Sequence, residues 1–114
     1  MPEPQARPAP GPARHELPAI DDLALVAARR ADLLLAAARE QEDARWVTFL
    51  EPIPDRLRDD ELRALRSTAM RARAAYGPKD SVRDVLPADV TEPFLQALDR
   101  LLRELAREFN RARR

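Results

Sequence analysis

The chain has 114 residues, and its 20 basic and 20 acidic side chains cancel to a net charge of zero. This length allows one domain at most, and a neutral chain has no overall field that attracts nucleic acid or an anionic membrane. The absence of cysteine excludes disulfides and thiolate metal sites, and a single histidine leaves few side chains for catalysis.

The first 18 residues contain six prolines and few large apolar side chains. Proline has no backbone N–H, and such a segment cannot bury enough surface to offset its ordering entropy. We therefore predict a flexible arm over 1–18 and a helical domain over 19–114. The N-terminus does not have the pattern of a signal peptide, and the most apolar stretch contains charges. We expect a cytoplasmic protein that does not contact membranes.

The first predicted helix covers about 21–50. Asp21 and Asp22 suit its N-terminus, and Pro52 and Pro54 follow its end. Thirteen of the sixteen residues between 23 and 38 are apolar. A helix that is apolar around most of its circumference needs cover on more than one side.

The second predicted helix runs from about 55 to 76. Its apolar residues alternate three and four apart, as in a coiled coil. They are Leu62, Leu65, Ala69, Ala72 and Tyr76. Gly77 is predicted to close the helix in the left-handed conformation, and Pro78 prevents its continuation.

A connector over 77–91 is predicted to hold a helical turn at 81–86. Thr91 then suits the N-cap of a third helix over about 92–112, with Pro93 in its first turn. No segment of useful length alternates as a strand does. The sequence therefore predicts an all-α fold of three main helices in an antiparallel bundle with coiled-coil-like seams.

Small side chains on the first predicted helix allow a close approach by another helix. Either the other two helices of the chain cover it, or a second copy does, and we favour a homodimer. The predicted self-association residues are Ala24, Ala28, Ala31, Leu35, Ala38 and Trp46. Trp46 also has a simpler interpretation, which we favour, as a core residue at a helix end.

A stripe of basic residues follows the second predicted helix, where no acidic residue occurs from 62 to 76. This arginine stripe consists of Arg56, Arg63, Arg66, Met70, Arg73 and Lys79. A row of guanidinium groups can hold phosphate, carboxylate or an acidic partner helix. The simpler interpretation, which we favour, is a solvated face that follows the helix dipole, or one that pairs with the acidic first helix.

The candidate catalytic residues are few, because Ser67 and Ser81 have no histidine placed for them and no glycine-rich phosphate loop occurs. We therefore predict a non-catalytic interaction or regulatory module, without cofactor or metal, that self-associates and binds a protein partner. The alternative is an anion-binding protein that holds nucleotide or nucleic-acid phosphate on the arginine stripe. Zero net charge disfavours nucleic acid. An enzyme built from converging carboxylates and arginines ranks third.

Overall fold

The computed structural model describes residues 11–113, and every regular element within this range is helical. The α-helices are α1 (Pro18–Glu40), α2 (Ala44–Leu50), α3 (Ile53–Asp59), α4 (Leu62–Arg73) and α5 (Ala88–Ala112). Short 3-10 helices occur at Arg14–Glu16, Ala74–Tyr76 and Val82–Asp84. The all-α prediction is confirmed for these residues, but each of the first two predicted helices is divided in two.

The first predicted helix is interrupted at residues 41–43, so the prediction of one helix over 21–50 is wrong. Glu42 has a φ of 53°, in the left-handed region that turns the chain. The side chain of Asp43 then accepts a hydrogen bond from the backbone N–H of Trp46 at 3.1 Å, which caps α2. This turn separates α1 from α2 without glycine or proline.

The second predicted helix is interrupted at Asp60 and Glu61. Asp60 is extended, with a ψ of 140°, and its carboxylate accepts a hydrogen bond from the hydroxyl of Thr68 at 3.1 Å. Its carbonyl accepts a hydrogen bond from Arg14 at 2.9 Å, and the Glu61 carboxylate accepts one from the backbone N–H of Arg14 at 2.8 Å. Hydrogen bonds from the N-terminal segment therefore stabilise the break between α3 and α4.

The connector between α4 and α5 begins close to the predicted position. A 3-10 turn ends at Tyr76, but Gly77 has a φ of −69°, so the predicted left-handed cap is wrong. The 3-10 helix at Val82–Asp84 confirms the turn predicted over 81–86. Helix α5 begins at Ala88, which places Pro93 inside the helix and makes Thr91 a buried helical residue rather than a cap.

Helix α1 packs against α2, α3 and α5, and α4 packs against α3 and α5. Helices α4 and α5 run antiparallel, because Arg73 contacts Asp99 near one end and Arg66 lies over Phe109 near the other. The core joins alanines of α1 to large side chains of α5. Fully buried residues include Ala24, Ala27, Ala28, Ala31 and Ala38 on α1, and Phe94, Leu98, Leu101 and Leu105 on α5.

The N-terminal segment packs on the helices before residue 19, where the predicted domain begins. Residues 1–10 of the predicted arm lie outside the described residues. Arg14 is only 3% exposed, and its Nε donates a hydrogen bond to Asp21 at 2.8 Å. Part of the segment predicted as an arm is therefore structured. Among the residues described, no helix has both the length and the apolar character needed to cross a membrane.

Candidate interaction surfaces

The six predicted self-association residues lie in the core of a single chain. Ala24, Ala28, Ala31 and Ala38 have no exposed surface, and Leu35 and Trp46 are 7% and 4% exposed. The chain's own helices cover these side chains, because α1 packs on three other helices. Contact between two copies of this fold therefore has to use other residues.

The arginine stripe is divided by the break before α4. Arg63, Arg66, Met70 and Arg73 all belong to α4, where steps of three and four residues place them on one side of the helix. Met70 is 53% exposed among them. Arg56 lies on α3 and Lys79 lies in the connector, so neither continues the row on the same helix.

Two members of the stripe are engaged within the chain. Arg73 donates to the Asp99 carboxylate at 2.8 Å, and its guanidinium carbon lies 6.0 Å from the Tyr76 ring centre. Arg66 lies 5.3 Å from the ring centre of Phe109. Arg56 and Arg63 form no ion pair with the described residues. The stripe is therefore partly a packing surface between α4 and α5.

A polar cluster around Tyr76, which sequence reasoning missed, joins the connector to α5. The Tyr76 hydroxyl donates to the Thr91 carbonyl at 2.6 Å, and Arg83 contacts both carboxylate oxygens of Glu92, at 2.8 and 2.9 Å. Burial, with the nearby Glu92 charge, raises the pKa of Tyr76. The hydrogen bond from Arg83 lowers the pKa of Glu92. The Tyr76 hydroxyl, Arg83 and Glu92 all have partners, and these contacts join the connector to α5.

An uncovered face of α1 contains Leu33, which is 51% exposed. Val26 and Ala37 are half-buried on the same side of the helix, at spacings of seven and four residues from it. The charged residues Arg29 and Glu40 lie on either side of Leu33 and are exposed. The signal in the sequence was a second helical spacing of apolar residues along α1, in addition to the one that forms the core.

A shallow groove of about 160 Å³ lies between α1 and α5. Its lining includes Leu23, Val26 and Arg30 from α1, and Pro93, Ala97 and Arg100 from α5. Most of the lining is therefore apolar, and its polar members are Gln96 and one arginine on each helix. Arg30 and Arg100 form no ion pair within residues 11–113. Leu33 is outside this lining but Val26 belongs to it, so the groove and the uncovered face of α1 adjoin at Val26.

Histidine and carboxylate side chains do not assemble into a cluster of three that could hold a metal ion anywhere in residues 11–113. Comparison of the chain with protein-family models, with curated proteins and with solved structures finds no match. The functional argument therefore rests on the surfaces described above.

Proposed function

We propose that this protein is a non-catalytic helical module of the cytoplasm that self-associates as a homodimer and binds a protein partner. The observation that carries the proposal is the uncovered face of α1, where Leu33 is half exposed in the middle of a well-packed helix. A second copy placed on this face completes an antiparallel helical bundle with a coiled-coil-like seam. Such a contact buries an apolar side chain that a monomer leaves in water.

The charges on this face are complementary to those of a second copy. Arg29 and Glu40 are eleven residues apart, which is about three helical turns, so they share one side of α1 with Leu33 between them. A two-fold antiparallel pairing brings Arg29 of each copy opposite Glu40 of the other, because a symmetric interface uses the same patch twice. Neither side chain has an ion-pair partner among the described residues.

Sedimentation equilibrium over a concentration series tests the dimer. Burying the exposed half of Leu33 contributes about 1 kcal/mol per copy. Leu33→Gln removes this from both copies and should weaken association by about 2 kcal/mol, or roughly 30-fold in Kd. Met70→Gln is the matched control, because Met70 is equally exposed on α4 but lies off the proposed face. A wild-type chain that stays monomeric at high concentration contradicts self-association.

A charge exchange tests the orientation of the two copies. Arg29→Glu alone places like charges opposite each other, as does Glu40→Arg alone, and each should weaken the dimer. The double variant restores opposite charges across the interface and should recover most of the affinity. If the double variant dimerises more weakly than both single variants, the antiparallel pairing is wrong.

A second candidate function is anion binding by the exposed side of α4. The observation that favours it is Arg63, which forms no ion pair with the described residues and lies one turn from Arg66 on a helix without acidic residues. Nuclear magnetic resonance titrations with inorganic phosphate and with ATP test it. Arg63→Gln with Arg66→Gln should abolish the shifts on α4 while Arg73, which holds Asp99, is left intact. Equal shifts in this variant exclude the stripe as a site.

A further inference from the structure

The groove between α1 and α5 combines apolar side chains with two arginines. Leu23 and Val26 face it from α1, Pro93 and Ala97 face it from α5, and all four offer only carbon to an occupant. Arg30 and Arg100 contribute one guanidinium group from each wall. A small inorganic anion would leave the apolar surface uncovered, so the occupant that fits has both apolar and anionic groups.

Charged residues of both signs lie near the groove. Arg29 is adjacent to Arg30 and Arg103 is three residues from Arg100; both are exposed, and none of these four arginines has an ion-pair partner in the described part of the chain. Acidic residues also lie on this side, and two of them border the lining, because Asp22 precedes Leu23 and Asp89 is one turn before Pro93. These acidic residues are Asp22 and Glu40 on α1, and Asp89 and Glu104 on α5, of which Glu104 is held by Arg107 at 2.8 Å.

We propose that this groove binds an acidic amphipathic helix of a protein partner. The inference rests on the proposed function as a protein-binding module and specifies where the partner binds and what its chemistry is. Apolar side chains at helical spacing contact Leu23, Val26 and Ala97, as in other helix-in-groove complexes. Glutamate or aspartate side chains on the two flanks of that helix accept hydrogen bonds from the guanidinium groups of Arg30 and Arg100, whose planar geometry matches a carboxylate.

The experiment uses the full chain and a synthetic helical peptide with leucines at positions i, i+3, i+4 and i+7 flanked by glutamates. Fluorescence anisotropy measures its affinity at low and at high salt. A peptide of the same pattern with lysine in place of glutamate should bind about tenfold more weakly or not at all. Chemical shift changes should fall on α1 and α5 around the groove.

The variant Arg30→Gln with Arg100→Gln should reduce the affinity for the glutamate peptide by about tenfold or more. The control Arg113→Gln with Arg114→Gln removes the same number of positive charges at the C-terminal end and should bind the glutamate peptide as the wild type does. Unchanged circular dichroism in both variants shows that the fold is retained. An equal loss in both variants, or equal binding of the glutamate and lysine peptides, overturns the proposal.

Two further outcomes also overturn it. Polyglutamate without leucine that binds as tightly as the peptide shows that charge alone is sufficient. A dimer that dissociates in the Arg30→Gln and Arg100→Gln variant, with no peptide bound by the wild type, shows that a second copy occupies the groove. The dimer itself is tested separately through Leu33, so failure of the groove leaves self-association standing, and a monomer that binds the peptide refutes only self-association.

Discussion

Replacement of Arg14 by alanine should destabilise the whole domain, although this residue lies in a segment that reads as a proline-rich arm. Its side chain is 4% exposed, and its Nε lies 2.8 Å from the carboxylate of Asp21. A second nitrogen donates to the Asp60 carbonyl at 2.9 Å, and the backbone N–H donates to Glu61. One residue therefore ties the start of α1 to the break between α3 and α4.

The expected cost follows from what the truncation leaves behind. Removing one partner of a buried ion pair costs about 3–5 kcal/mol. Asp21 keeps 35% of its side chain exposed, so water replaces part of the lost interaction and we expect about 2–3 kcal/mol. With an m value of about 1.5 kcal/mol/M, the midpoint of urea unfolding should fall by about 1.3–2 M.

Urea unfolding followed by circular dichroism measures this change. His15→Ala is the matched control, because His15 is the exposed neighbour in the same 3-10 helix. Asp21→Asn should cost less, and its effect should be largely absent in the Arg14→Ala background, since both substitutions remove the same interaction. If Arg14→Ala unfolds at the same urea concentration as His15→Ala, the N-terminal segment does not hold the α3–α4 break.

Two further predictions concern Tyr76 and Glu42. Burial raises the pKa of Tyr76, so this hydroxyl supports folding fully below the ordinary tyrosine pKa of about 10, and its contribution declines as the pH rises above that value. The unfolding free energy should therefore fall more steeply above about pH 10 in the wild type than in Tyr76→Phe; parallel pH profiles would contradict this. Glu42→Gly should raise the unfolding free energy by about 0.5–1 kcal/mol, because glycine adopts the φ of 53° without strain. Glu40→Gly, within α1, should lower it, and equal effects from the two glycines in urea unfolding would refute the strain at Glu42.

The parts of the fold that could be predicted are those set by local chemistry. Helical spacing of Leu and Ala indicated helices over most of α1 to α5, though not the 3-10 helix at Arg14–Glu16, and Gly77 with Pro78 indicated where the helical path through Tyr76 ends. The turn at 41–43 carried a signal in Asp43, a good N-cap residue, but no glycine or proline. Glutamate rarely adopts the left-handed conformation that Glu42 has at this break. The spacing of apolar residues alone therefore favoured a continuous helix.

The break at Asp60 and Glu61 could not be predicted because its partner is distant in the sequence. Arg14 contacts this break from 46 and 47 residues away, and no local spacing indicates such a pairing. The same limit applied to the candidate surfaces. Small residues on α1 indicated a close helix contact, but whether the covering helix belongs to the same chain depends on the path of α3 and α5.

The alanine side of α1 sets different limits on sequence change for the two helices that meet in the core. Ala24, Ala27 and Ala31 have no exposed surface, so a larger side chain at any of them has to push a neighbouring helix away. Leu98 and Leu101 on α5 are equally buried but can exchange with isoleucine or methionine at nearly constant volume. In a library of random variants, the inner alanines of α1 should therefore accept only glycine and serine. The inner positions of α5 should accept several large apolar residues.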